Sequence, residues 1–248
     1  AVMRELAPGV WFGTGTHVNF LALVDGADVT LIDAGWAGDV DRVEAQLASI
    51  GRRPQDVRAI LVTHAHIDHV GGIAKLHERY GTPVLAHPDE LAHARGETHE
   101  QVAPVEMLPI AWRPRTWKWM ADVARVGVLG HVAMPYAEPF AVPAEGGPLD
   151  LPGAPVPVAC PGHTSGHTAF LLPGGVVATG DALVTGHPLA GTTGPQLLPD
   201  FFSHDVPRTL ATLDAIAGLD ADQLAPGHGE PWRGDPAEAV ARARATYR

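Results

Sequence analysis

Apolar residues in the first third of the chain fall in short runs divided by turn signals. Residues 20–24 and 29–32 are β-rich and are separated by Asp25-Gly26, a pattern that predicts a hairpin. Val40, Val43, Leu47 and Ile50 then recur at helical spacing before Gly51, which predicts a helix with one face packed on the sheet. Residues 58–63 read as a short buried strand that runs directly into a polar cluster. Gly71-Gly72 is expected to open a helix ending near Gly81, leaving that cluster on a strand-to-helix loop. Residues 84–86 form a further strand, and the order strand, helix, strand predicts a layered α/β architecture with sites at strand ends.

The second half echoes the first. Strands are expected over residues 155–159, 169–172 and 176–179, the last two flanking Pro173-Gly174-Gly175. Asp205 precedes Pro207, Leu210, Leu213 and Ile216, a helix closed by Gly218, and a short strand then leads to residues 226–229. The last helix is expected to begin at Asp235-Pro236, with Glu238 placed for a capping box. From about residue 100 to 148 the pattern breaks down into proline, glycine and aromatics (Trp112, Trp117, Trp119, Tyr136, Phe140). Residues 1–248 are read as a single domain carrying this segment as an insertion, whose aromatic content predicts a lid or pocket wall.

Composition narrows the class. With 248 residues and 46% hydrophobic content the chain can bury one large core, and it holds no apolar run of the roughly 18 residues that a membrane span needs. The first residues lack the basic-then-apolar pattern of a secretory leader, although a leader already removed would leave no trace. Lys and Arg total 17 against 28 Asp and Glu, a net charge of -11 that argues against nucleic acid as a partner. A single cysteine, Cys160, excludes an internal disulfide and fits a cytoplasmic location. It ends a predicted buried strand with no triad pattern around it, so an inert thiol is expected.

Histidine placement carries the chemistry. His64, His66, Asp68 and His69 put four ligand-type side chains within six positions after a buried strand. Two histidines one residue apart on an extended segment point the same way and can bind one ion, while Asp68 and His69 on the following turn can reach a second. His167 reads equally as a group supporting a ligand or as a structural residue. His17, His87, His187 and His204 approach from loops without ligand spacing, and His77, His93, His99 and His131 read as ordinary.

The run THAHIDHVGG over residues 63–72, followed in order by PGHTSGH (161–167), TGDAL (179–183) and PGHG (226–229), resembles the metallo-β-lactamase superfamily over residues 10–232. The resemblance implies a four-layer αββα sandwich with the site at one edge, between the two sheets. It implies two divalent metal ions, one bound by His64, His66 and His163 and the other by Asp68, His69 and His228, with Asp181 bridging them. Zinc leads, and iron and manganese suit the same donors. Between two such ions a water's pKa falls from about 15.7 toward 7, giving a metal-bridging hydroxide for attack on a carbonyl, with Asp68 as the catalytic orienter or proton acceptor beside its metal role.

Within that superfamily a bridging aspartate favours the glyoxalase II-like and lactonase-like branch over true zinc β-lactamases. The expected reaction is hydrolysis of a thioester, lactone or related acyl bond in a small-molecule substrate, with the insertion shaping an apolar acyl pocket. Glyoxalase II carries a helical region after the last ligand, whereas 20 residues follow His228; acyl-homoserine lactonases place a tyrosine after the bridging aspartate, and none lies between Asp181 and His228. A mononuclear iron persulfide dioxygenase, a β-lactam hydrolase and a non-catalytic binding module remain as alternatives. No membrane partner is expected, and a homodimer is compatible with the sequence.

Overall fold

The computed structural model describes residues 2–102, 104–128, 132–141 and 146–247. Its first sheet runs in chain order: β1 (Arg4–Ala7), β2 (Val10–Thr14), β3 (Asn19–Asp25), β4 (Asp28–Ile32), β5 (Val57–Leu61), β6 (Val84–Ala86) and β7 (Glu138–Pro139). The early strands meander antiparallel, and the expected turn between β3 and β4 contains Gly26 at φ +57°, a left-handed conformation that glycine adopts without a Cβ penalty. From β4 onward the pairing is parallel. The second sheet comprises β8 (Val156–Ala159), β9 (Thr168–Leu172), β10 (Val176–Gly180), β11 (Gln223–Pro226) and β12 (Trp232–Arg233), ordered β12-β11-β10-β9-β8 with β10 parallel to β11.

Helices complete the layers: α1 (Val40–Ser49), α2 (Ile67–Tyr80), α3 (Leu91–Ala94), α4 (Pro114–Val126), α5 (Val206–Ala217) and α6 (Pro236–Thr246). Alternate residues of a strand face opposite sides, so each sheet has two faces to bury. Leu21, Leu23, Ile32 and Leu61 of the first sheet meet Phe170, Leu172, Val176 and Ala178 of the second in the central core. On the outer face of the first sheet, Leu31 and Ile60 pack with Val43 and Leu47 of α1 and Ile73 and Leu76 of α2. Val177 and Leu224 pack on Leu213 and Ile216 of α5 and Val240 of α6. Helix, sheet, sheet, helix is the αββα sandwich. Among the described residues no helix is long and apolar enough to cross a membrane.

The structure corrects several expectations. Helix α2 begins at Ile67, so Asp68 and His69 occupy its first turn and, of the cluster, only His64 and His66 lie on the preceding loop, residues 62–66. Gly71 and Gly72 lie inside the helix, where a Cβ would collide with Ala37 and Ala34, so they permit close packing rather than open the helix. The final helix is capped by Asp235, which accepts from the Ala237 N–H, while Glu238 turns to Arg242 instead of closing a capping box. Strands β1, β2, β7 and β12 escaped the periodicity. The insertion is not uniform: Phe140 belongs to the core between the sheets, Tyr136 stacks on His77, and residues 104–126 form a 3-10 turn and α4.

Candidate metal centre

Parallel pairing sends β5, β10 and β11 toward one edge of the sandwich, and β8, antiparallel to β9, points there as well. The residues that follow each strand therefore converge: His64 and His66 after β5, His163 after β8, Asp181 after β10 and His228 after β11, with Asp68 and His69 supplied by the first turn of α2. Ligand-type atoms of His64, His66 and His163 lie within 4.8 Å of one another, as do those of His64, His69 and Asp181 and those of Asp68, His69 and His228. Asp181 stands between the groups. Its Oδ1 lies 3.4 Å from His69 Nε2, and its Oδ2 lies 3.1 Å from His228 Nε2 and 3.6 Å from His163 Nε2. Asp68 Oδ2 lies 3.3 Å from His228 Nε2. All seven expected residues are thus brought together.

Each of the five imidazoles uses its outer nitrogen on the protein and turns the other inward. His69 Nδ1 donates to Asp33 Oδ2 at 2.8 Å, and His228 Nδ1 donates to the His17 carbonyl at 2.5 Å. His64 Nδ1 lies 3.0 Å from Thr63 Oγ1, whose own proton goes to Asp33 Oδ2 at 2.7 Å, so the hydroxyl accepts from the ring. His66 reverses the pattern: Nε2 donates to the Glu100 carbonyl at 2.9 Å, leaving Nδ1 inward, 3.0 Å from His163 Nε2. His163 Nδ1 meets Ser203 Oγ at 3.3 Å. Carbonyls and carboxylates only accept, so these contacts place a ring proton on the outer nitrogen of His64, His66, His69 and His228.

Three of the inward atoms are left unsatisfied. His64 Nε2, His69 Nε2 and Asp181 Oδ1 are buried with no hydrogen-bond partner, a costly state for polar atoms unless something else binds them. Electrostatics agree. Burial pushes His64, His66 and His163 below the ordinary imidazole range, and neighbouring histidines add to it. Burial opposes charge on His69 and His228 too, but Asp181 and Asp68 outweigh it, raising His69 well above its ordinary value and His228 to about 10. Against their own burial, the same histidines hold Asp68 and Asp181 below the carboxylate range. A buried set of imidazoles and two ionised carboxylates turned to one cleft, with His64 Nε2, His69 Nε2 and Asp181 Oδ1 lacking hydrogen-bond partners, fits divalent cations.

Several supporting residues carried no signal in the local spacing. Asp33, held at φ +59°, collects the Thr63 N–H, the Thr63 hydroxyl and His69 Nδ1. Glu90 and Glu100 hold the loops on the other side. His167, read either way from sequence, accepts the Asp181 N–H at Nε2, 3.0 Å away, and so positions the bridging candidate. His17 contributes its carbonyl to His228, while its ring reaches Asp122 of α4 at 3.0 Å. His187 sits beside the centre, its ring centroid 4.9 Å from that of His228, and burial pushes it down to about 3. His87 caps the turn before α3, His93 donates to Glu90, and the His204 N–H donates to the His163 carbonyl. His77 bonds the Thr82 carbonyl, His99 joins no ligand-spaced group, and His131 lies outside the described residues.

One wall beside His228 is apolar. Val18, Trp36, Trp119, Val123 and Leu189 form a cluster against which Ile67 and Phe202 pack, and the His187 ring lies 5.9 Å from Trp119 and 5.2 Å from Phe202. Of the three tryptophans in residues 112–119 only Trp119 is buried; Trp112 and Trp117 are 75% and 61% exposed.

An αββα sandwich with a histidine and aspartate cleft at one sheet edge defines a class of metal-dependent hydrolases, and sequence comparison agrees. The metallo-beta-lactamase superfamily model matches residues 13–228, and the chain belongs to that superfamily. It is 28% identical over 215 residues to the probable metallo-hydrolase YflN of Bacillus subtilis, covering 82% of this chain and 76% of the relative. A hydroxyacylglutathione hydrolase of Halorhodospira halophila is 30% identical over 168 residues, which span 68% of this chain and 48% of that protein's length. Among solved structures, a metallo-beta-lactamase family protein from Thermus thermophilus superposes with a TM-score of 0.67 at 26% identity, covering 97% of this chain and 80% of that one.

Proposed function

We propose that the chain hydrolyses a thioester, lactone or related acyl bond at a dinuclear metal centre. The observation that carries this reading is the inward set of buried, unpartnered atoms on His64, His69 and Asp181, which belong to groups sharing one cleft. His64, His66 and His163 would hold one ion and Asp68, His69 and His228 the other, with Asp181 placed between the two groups, its two oxygens facing different histidines. Zinc is the proposed metal. When bound, divalent ions would supply Lewis-acid chemistry that acidifies a water and polarises the acyl oxygen at neutral pH, so no serine or cysteine nucleophile is needed.

The protein's own part is positional. Outer-nitrogen bonds to Asp33, Thr63, Glu100, Ser203 and the His17 carbonyl hold the rings before any ligand arrives. Asp68 is the most open of the seven, with 19% of its side chain exposed, and its carboxylate is kept ionised by His69 and His228. It is the group proposed to orient the attacking water and to accept its proton. The apolar wall of Trp119, Leu189, Ile67 and Phe202 receives the acyl portion and keeps solvent off the reacting carbonyl.

Similarity to a hydroxyacylglutathione hydrolase supports the acyl-transfer reading over β-lactam cleavage. The test is a hydrolysis screen of purified protein over thioesters, lactones and β-lactams, before and after chelation. Chelator-sensitive turnover of thioesters or lactones supports the proposal; turnover confined to β-lactams, or oxygen uptake on a persulfide, overturns it.

A further inference from the structure

Glu90 lies in the 3-10 turn before α3 and is completely buried, yet it belongs to neither sheet nor to the seven-residue cluster. Its Oε1 accepts the Ala65 N–H at 2.8 Å and His93 Nδ1 at 3.1 Å. Its Oε2 accepts the Thr164 hydroxyl at 2.7 Å and the Gly166 N–H at 2.9 Å. Ala65 stands between His64 and His66, while Thr164 and Gly166 follow His163. One carboxylate therefore ties the loop after β5 to the loop after β8, the two segments that must meet for the three-histidine group to exist. Gly166 shows how close the approach is, because a Cβ there would collide with the Glu90 backbone. Glu100 adds a parallel tie by accepting the Ser165 N–H and hydroxyl, each at 2.7 Å. Neither Asp68, in the first turn of α2, nor His228 bonds to Glu90; His228 is held from the other side by the His17 carbonyl.

We infer that Glu90 is a positioning residue that assembles the His64, His66 and His163 subsite, so that the affinity for one of the two ions depends on it and the affinity for the other does not. The inference rests on the dinuclear reading above. A buried carboxylate that accepts from two backbone N–H groups, a hydroxyl and an imidazole is strongly held, and its loss leaves those donors unpaired. Glu90→Gln preserves volume but replaces one acceptor oxygen with an N–H donor. Whichever way the amide turns, a backbone N–H of Ala65 or of Gly166 then faces another donor, and one of the two loops is released.

The experiment is a zinc titration of the metal-free full chain against a chromophoric chelator, for wild type, Glu90→Gln and Thr164→Val, with thermal unfolding of each metal-free protein alongside. The valine variant removes one bond to Oε2 without altering the carboxylate, so it keeps the test open if Glu90→Gln does not fold. In wild type, two binding steps are expected. In Glu90→Gln one step weakens by about 10- to 100-fold, the usual range for losing a group that supports a metal ligand, while the other stays within about twofold. Thr164→Val shifts the same step in the same direction by less. Two unchanged steps in a folded variant overturn the inference, as does an equal weakening of both. A wild-type chain that binds no zinc defeats the dinuclear reading itself, which is a different result from either.

Discussion

The ring of His69 turns its Nδ1–H to Asp33, 2.8 Å away, and its Nε2 to Asp181, 3.4 Å away, so one imidazole links a carboxylate that orients to a carboxylate that faces the cleft. Asp33 is the more demanding of the two, because it is held at φ +59°, where side chains other than glycine, asparagine and aspartate are strained. Asp33→Asn keeps that backbone conformation and loses one acceptor. Metal binding is expected to weaken by about 10- to 100-fold with the fold intact, measured by zinc competition and circular dichroism. Unchanged affinity would show that His69 needs no orienting carboxylate.

Asp181 reaches the imidazoles of His64, His69, His163 and His228 and donates its backbone N–H to His167. Asp181→Ala leaves the strand ends in place and removes the group proposed to reach both ions. Hydrolysis should fall to the uncatalysed rate while the far-UV spectrum stays native. Full turnover by this variant after it has lost its metals would sink the mechanism.

The insertion offers a paired comparison. Trp119 is buried in the apolar cluster beside His187, whereas Trp117 is 61% exposed. Trp119→Leu should raise KM for long acyl chains several-fold more than for short ones, with metal content unchanged. Trp117→Ala should leave kinetics alone and stability within about 0.5 kcal/mol. Equal kinetics for Trp119→Leu across chain lengths would remove the acyl-pocket role.

Cys160 is buried, and desolvation pushes its thiol from 9.0 up to about 12. Native protein should not react with a disulfide reagent at mildly alkaline pH, and unfolded protein should. The sign for stability follows: the unfolded thiol ionises first, so this group contributes nothing below pH 9.0 and destabilises the fold as pH rises from there toward about 12. The slope is about 1.4 kcal/mol per pH unit at most. Cys160→Ala should flatten that alkaline limb in denaturant titrations; an identical limb would assign it to other groups.

Much of this was legible in the chain because some of the chemistry is local. His64, His66, Asp68 and His69 fall within six positions, and a strand-end placement brings them to one edge. Asp33, Glu90 and Glu100 were not legible, since the partners that tie them to the site lie far along the chain: Asp33 meets residues 30 and 36 positions away, Glu90 meets residues 25, 74 and 76 away besides its neighbour His93, and Glu100 meets Ser165 at 65. Only folding makes those pairs. Helix α2 starts before Gly71-Gly72 for a related reason, because those glycines are required by the close passage of residues 34–37, which local sequence does not show. Two-residue edge strands such as β7 and β12 are too short to show a period.

The most direct test of the central claim is metal analysis of the purified protein coupled to chelator titration of thioester and lactone hydrolysis. The account predicts a stoichiometry near two divalent ions per chain and turnover that falls as they are withdrawn and returns when zinc is restored. One iron per chain, or acyl hydrolysis that persists after every ion is gone, would contradict it.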